Sequence, residues 1–82
     1  MNIIFPDWYD DLFQIECESK GVVLNLEVIV NEKSYIFNFY DPTRFLQDVG
    51  QEISELGYFR DENAVIIKRV TKDNIIEYLS SI

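Results

Sequence analysis

Histidine is absent from this 82-residue chain, and cysteine occurs only once. Without an imidazole, the chain has no Ser–His or Cys–His nucleophile pair and no histidine general base. The single thiol, Cys17, cannot form an internal disulfide, and the charges of Glu16 and Glu18 beside it disfavour a thiolate. A lone cysteine is typical of a reducing compartment, so we expect a cytoplasmic protein with a structural thiol.

Long apolar runs and a basic leader are also missing. No run approaches the roughly 18 apolar residues that cross a bilayer. The opening residues, MNIIFPDWYDD, contain no base and become acidic at Asp7, unlike a secretory signal. The sequence therefore predicts neither a membrane span nor a cleaved leader. Glycine-rich phosphate-binding motifs do not occur either, and we expect no cofactor.

Basic residues are few: the chain has seven Lys and Arg but 15 Asp and Glu, which gives a formal net charge of −8. Such a surface repels phosphate backbones and anionic lipids, so we expect no direct binding to nucleic acid or to a membrane. Hydrophobic residues nevertheless make up 48% of the chain, enough to form a core rather than a disordered acidic tail. At this length, residues 1–82 are expected to form a single domain.

Residues 12–18 fit two kinds of secondary structure. Apolar and polar residues alternate from Phe13 onward, which is typical of a half-buried strand. The alternative is a helix in which Trp8, Leu12 and Ile15 share one face. Because the alternation is regular and a glycine-containing turn follows, we favour the strand.

Two further strands are predicted at residues 22–31 and 35–40, separated by a tight polar turn. Both segments are rich in β-branched and aromatic residues with period-two spacing. Consecutive strands joined by short turns imply an antiparallel meander. The residues predicted to face the core are Leu24, Leu26, Val28 and Val30 in the first strand and Tyr35, Phe37 and Phe39 in the second.

The dipeptide Asp41–Pro42 predicts the start of a helix. Aspartate accepts hydrogen bonds from the free amides of the first turn, and proline at the first helical position has no N–H to lose. Gly57 suits the left-handed residue that ends such a helix, and Gly50 inside it suggests close packing on the sheet. The predicted apolar stripe is Leu46, Val49, Ile53 and Leu56, with Asp48, Glu52 and Glu55 on the opposite face.

The C-terminal part adds a strand and a helix. Residues 64–67 are apolar on both sides, which predicts an inner strand. Thr71 is predicted to cap a last helix whose buried face comprises Ile75, Ile76, Leu79 and Ile82. The predicted order is therefore βββαβα. This is an α+β domain in which an antiparallel meander and a fourth strand form one sheet, with two helices packed on it.

Negative charge is concentrated near the N-terminus. Residues 1–19 contain five acids and no base, so they carry −5 of the net −8, and they also contain four large aromatic residues. Aromatic anchors among acids suit a surface that binds a basic protein, because the acids steer the partner and raise its association rate. The alternative is that the aromatics close the core and the acids only keep a small domain in solution.

The candidate partner-binding residues are therefore Asp7, Trp8, Tyr9, Asp10, Asp11, Glu16 and Glu18, joined by Asp48, Glu52 and Glu55 of the first predicted helix. No calcium-loop spacing or zinc-like ligand set occurs among the acidic clusters, so no metal site is expected. We also expect that the chain is not an enzyme. With only carboxylates and hydroxyls available, catalysis would require a pocket in which two carboxylates converge.

The stretch FYDPTRFLQDVG at residues 39–50, with NAVII at 63–67 and VTKDNI at 70–75, resembles a group of small bacterial domains that have no established activity. In its size, acidity and cysteine content, the chain is also similar in type to bacterial immunity and antitoxin proteins. Those proteins commonly present acidic and aromatic residues to a basic nuclease toxin. The likeness implies a non-enzymatic inhibitor of a basic protein, and it assigns no individual residue.

A second interpretation is a structural or regulatory module that self-associates, for example as a homodimer. Its interface would be a sheet edge or a helix face. The aromatic strand at residues 35–40 motivates it, because an uncovered strand edge invites pairing with another chain.

Overall fold

The computed structural model describes residues 2–82, in which four strands form one sheet in the order β1-β2-β3-β4. β1 and β3 pair antiparallel with β2, and β3 pairs parallel with β4. The predicted α+β class is confirmed, with three helices in the described residues. The elements are β1 (Ile3–Ile4), α1 (Asp11–Lys20), β2 (Val22–Val30), β3 (Lys33–Tyr40), α2 (Pro42–Leu56), β4 (Ala64–Ile66) and α3 (Lys72–Leu79).

The segment predicted as the first strand is a helix, α1, so the strand prediction for residues 12–18 is wrong. Asp10 accepts a hydrogen bond from the Phe13 amide at 2.9 Å and thereby caps the helix. Gly21, with φ 74°, ends it in the left-handed conformation. Phe13 and Cys17 alternate with polar residues, but they are also four apart and so share one helical face. The strand that opens the sheet is instead the short β1.

The hairpin between β2 and β3 confirms the predicted polar turn. Val30 pairs with Lys33, so the loop contains only Asn31 and Glu32. Both loop residues have positive φ, at 50° and 73°. This is the backbone of a type I′ turn, whose twist matches that of the two strands it joins.

A bulge in β2 moves one predicted core residue to the other face of the sheet. Leu24 and Asn25 of β2 lie opposite the single residue Asn38 of β3. Asn25 has φ 54°, and its N–H donates to Oδ1 of Asn38 at 2.7 Å. The extra residue turns Leu24 outward, where it is exposed, so its predicted core position is wrong. The other three predicted core residues of this strand are buried.

The core lies between α1, α3 and the sheet face that they cover, here called the inner face. Tyr35, Phe37 and Phe39 point to this face as predicted, and the rings of Phe37 and Phe39 contact Tyr78 of α3 edge-on. Thr71 caps α3 by accepting from the Asn74 amide. The fully buried residues with the largest side chains are Phe39, Leu26, Ile75, Leu79, Val28 and Val70.

Two predictions for the C-terminal part are corrected. β4 is an edge strand of three residues rather than an inner strand. Val65 packs against the core, but Ile66 faces the uncovered side and is exposed. Ile82 is also exposed rather than buried, because α3 ends at Leu79 and the last turn no longer directs it inward.

Helix α2 has the predicted ends but stays largely uncovered. Asp41 accepts from the Arg44 amide at 2.7 Å, Pro42 is the first helical residue, and Gly57 ends the helix with φ 86°. No residue of α2 is buried, and its predicted apolar stripe does not pack on the sheet. Within residues 2–82, every helix is too short or too polar to traverse a bilayer.

The two glycines of this region give matched substitutions with opposite expected effects. Apart from the neighbouring backbone of α2 itself, no atom of the described residues lies within 4 Å of the position that a Cβ on Gly50 would take, so close packing on the sheet does not explain this glycine. We expect Gly50→Ala to raise the free energy of unfolding by about 0.5–1 kcal/mol, because alanine loses less backbone entropy in a helix.

Gly57→Ala should instead lower the free energy of unfolding by about 1 kcal/mol, because a Cβ is strained at its positive φ. Denaturant titration of both variants measures the two changes. A loss of stability in Gly50→Ala as large as that in Gly57→Ala would contradict this account of α2.

Candidate functional site

A tight turn displays the N-terminal acids. The Tyr9 amide donates to the Pro6 carbonyl at 3.0 Å, which closes the turn just before α1. The Tyr9 ring enters the core and stacks on Phe5 with ring centroids 5.4 Å apart. Because Tyr9 points inward, Asp7 and Trp8 lie on the outside of the turn, where both are exposed.

Three of the predicted acids line one open cleft of about 520 Å³. Asp7, Asp10 and Asp11 come from the turn and the start of α1. Lys72 is the basic residue among the lining residues, and its Nζ lies 4.9 Å from the centroid of the Phe5 ring. The remaining lining residues are Ile3, Ile4, Phe5, Pro6, Tyr9 and Gln14.

The two predicted aromatic anchors have different environments. Trp8 is 47% exposed, yet its ring is held edge-on against Phe13 at a centroid distance of 5.4 Å. It can therefore contact a partner without first being ordered. Tyr9 is only 3% exposed and belongs to the core, so the prediction that its side chain contacts a partner is wrong.

The outer face of α1 adds two exposed apolar residues, of which the strand interpretation places only Ile15, on one face with Phe13 and Cys17. Leu12 and Ile15 are 70% and 66% exposed and lie about one helical turn apart. The helical alternative for this segment predicted that the two residues lie together, because it placed both on the same face as Trp8. We call Asp7, Trp8, Asp10, Asp11, Leu12, Ile15, Glu16 and Glu18 the acidic N-terminal surface.

The acids of this surface differ in their internal roles. Asp10 caps α1, and Oε2 of Glu18 lies 3.7 Å from Nη1 of Arg69 in an exposed ion pair. Within residues 2–82, Asp7, Asp11 and Glu16 have no ion-pair partner. These three carboxylates are therefore free to interact with a second molecule.

The acids predicted on α2 lie apart from the acidic N-terminal surface. Asp48 and Glu52 are half-buried near Tyr40, which alternates with the core residue Phe39 and so points to the outer face of the sheet. Asp48 also pairs with Arg44 at 2.9 Å. Glu55 is exposed farther along the same helix. The structure thus places the predicted site residues on opposite sides of the sheet.

Cys17 has the environment of a structural thiol. The residue is buried among core side chains. Burial raises the pKa of its thiol, the charge of Glu16 raises it further, and Lys20 partly opposes the rise. A protonated, buried thiol is a poor nucleophile. Among residues 2–82, no group of three or more cysteine or acidic side chains is arranged to hold a metal ion.

The chain matches no protein-family model, and comparisons with curated proteins and with solved structures give no match. The candidate site therefore rests on the geometry of this chain's own residues.

Two buried tyrosines give a further matched pair of substitutions. The Tyr9 hydroxyl has no hydrogen-bond partner within the described residues, whereas the Tyr40 hydroxyl donates to Oδ2 of Asp61 at 3.3 Å. We expect Tyr9→Phe to raise the free energy of unfolding at pH 7 by about 1 kcal/mol, because an unsatisfied buried group is removed. Tyr40→Phe should lower it by a similar amount.

The same pair predicts an alkaline loss of stability. Burial raises the pKa of Tyr9 to about 12, with a smaller contribution from the charge of Cys17. Burial likewise raises the pKa of Tyr40 to about 12, with a smaller contribution from the charge of Asp61. The unfolded chain releases these protons near pH 10, so the folded state binds more protons above that pH. The free energy of unfolding should therefore fall between about pH 10 and 12. Each Phe variant should lose less than the parent, as measured by denaturant titration at neutral and alkaline pH.

Proposed function

We propose that this chain is a non-enzymatic protein-binding domain of the immunity or antitoxin type. It inhibits a basic toxin, such as a nuclease, in the bacterial cytoplasm. The observation that carries the proposal is the convergence of Asp7, Asp10 and Asp11 on one cleft beside the exposed ring of Trp8.

Electrostatics supports this choice of partner. A nuclease binds phosphates in a positively charged groove, and carboxylates can occupy the positions that phosphates would take. The unpaired acids Asp7, Asp11 and Glu16 lie within one segment that carries −5 of the net charge of −8. Such a concentration of charge steers a basic protein toward this side of the domain and raises the association rate at low ionic strength.

The apolar residues supply the remaining part of an interface. Trp8, Leu12 and Ile15 are exposed, and acids flank them along the turn and α1. An apolar centre with a polar rim is the usual anatomy of a protein–protein interface, and tryptophan is often a residue whose removal costs most affinity. Contact with Phe13 fixes the Trp8 ring, so little side-chain entropy is lost on binding.

The first test of the proposal reverses two of the unpaired charges. We expect Asp7→Lys with Asp11→Lys to slow association with the basic toxin at least ~10-fold and to weaken its salt dependence. Asp10 is left unchanged because it caps α1. A toxin-bearing gene next to that of this chain would supply the partner, and stopped-flow mixing at several salt concentrations measures the rates.

The matched control is Glu27→Lys with Glu62→Lys, which changes the net charge equally. Glu27 lies on the outer sheet face, and Glu62 precedes the edge strand opposite β1. This control should keep the parent's association rate, and far-UV circular dichroism should show that both variants are folded. Equal slowing by the two double variants would contradict the proposal, as would partners that are only neutral or acidic.

The second test concerns the aromatic anchor. We expect Trp8→Ala to weaken binding of the toxin ~30-fold, chiefly through faster dissociation, because a central aromatic contact is worth about 2 kcal/mol. Tyr58→Ala removes an aromatic side chain that is at least as exposed but lies after α2, and it should leave dissociation unchanged. Biolayer interferometry with the chain immobilised and the toxin in solution gives both rates, and this arrangement excludes avidity as a cause of slow dissociation. An unchanged rate for Trp8→Ala would remove this residue from the interface.

A further inference from the structure

A second apolar surface lies on the other side of the molecule. Four large apolar residues of β2, β3 and β4 point away from the inner face, and a similar set lies on α2 and just after it. Their side chains are between 37% and 70% exposed. We call this set the outer apolar surface. It comprises Leu24, Ile29, Ile36 and Ile66 of the sheet with Leu46, Ile53, Leu56 and Tyr58 of the α2 region.

Helix α2 packs on the rest of its own chain along one side, which includes Arg44, Phe45 and the half-buried Asp48 and Glu52, and most of its apolar stripe stays exposed. The Phe45 ring packs edge-on against Tyr40 and Phe59, with centroid distances of 5.4 Å in each case. Nη1 of Arg44 donates to the Lys20 carbonyl at 3.2 Å. A helix of 15 residues without tertiary cover is marginal in water. The length and amphipathic character of α2 therefore indicate that something packs on it.

We propose that the outer apolar surface is a homodimer interface, in which α2 of each chain packs on the outer sheet face of the other. The helix is long enough to cross the sheet, because α2 is about 22 Å long and the axes of four strands spaced about 4.8 Å apart span roughly 14 Å. The eight exposed side chains present on the order of 800 Å², about what each partner contributes to a standard interface. A two-fold axis would form this contact twice, because each chain's α2 would pack on the other chain's outer sheet face.

The dimer interface is better placed on the helix and sheet faces than on the strand edges. The two edge strands contain only two and three residues, and short edges are poor templates for pairing with another chain. Each chain carries both an uncovered amphipathic helix and an uncovered sheet face, which together make a self-complementary pair. Of the acids of α2, Asp48 pairs with Arg44 in its own chain and Glu55 is exposed, where solvent screens its charge.

Sedimentation equilibrium over a wide concentration range tests the dimer. We expect Leu46→Lys with Ile53→Lys to raise the dimer dissociation constant at least ~100-fold, and Ile36→Lys to raise it ~10-fold or more. Lysine reduces the net negative charge, so like-charge repulsion cannot explain the loss. Because two copies of charge −8 repel each other, the dimer should also tighten as salt rises.

The matched control is Leu12→Lys with Ile15→Lys, which alters two equally exposed apolar residues on α1. This variant should keep the parent's dimer affinity while losing affinity for the basic toxin. The α2 variant should do the reverse, so failure of the dimer and failure of the proposed function can be told apart.

Three results would overturn the dimer. These are a parent protein that is monomeric at every concentration, a dimer that the α2 and Ile36 variants leave intact, and equal loss of the dimer in the α1 control. A monomer whose toxin binding depends on Leu46 and Ile53 would instead assign the outer apolar surface to that partner.

Discussion

Burial of the Tyr9 ring determines how the whole N-terminal segment is displayed. The ring lies between Phe5 and Phe13 in the core, and the turn that ends at Tyr9 fixes the residues on either side of it. Trp8 must then point outward, and Asp10 reaches the position from which it caps α1. One buried aromatic thus orders an exposed aromatic and a set of acids at the same time. The Tyr9 hydroxyl finds no hydrogen-bond partner among residues 2–82, which indicates that this arrangement is kept at some cost in stability.

The sheet separates two surfaces of different character. α1 and α3 cover the inner face and place the acids on the outside of α1, whereas the outer face and the α2 region together carry most of the exposed large apolar residues. A dimer formed through the outer apolar surface would leave both acidic N-terminal surfaces open, on opposite sides of the assembly. Each chain could then bind its own toxin molecule. Salt would affect toxin binding and dimerisation in opposite directions. It would weaken the attraction to a basic partner, and it would favour the dimer by weakening the repulsion between two acidic copies.

Features set by neighbouring residues could be predicted from the sequence, and features set by distant contacts could not. The caps at Asp41, Gly57 and Thr71 depend only on local backbone chemistry, and all three are present. The spacing of Phe13 and Cys17 fits both a strand and a helix, so only the Asp10 cap distinguishes the two. The exposure of Leu24 depends on a bulge opposite Asn38, for which the alternating pattern gives no signal. For the candidate site, the acids were predicted from charge alone, but the burial of Tyr9 follows from tertiary packing.

The distribution of charge bears on whether the acids only keep the domain in solution. Solubility needs net charge, and it is served equally well by charges spread over the surface. Here, residues 1–19 carry −5 while the remaining 63 residues carry only −3. Three of these acids, Asp7, Asp11 and Glu16, have no ion-pair partner within residues 2–82, and like charges gathered in one segment repel each other and lower the stability of the fold. A small domain with a limited core has little stability to lose, and the basic partner that we propose would neutralise this charge when it binds.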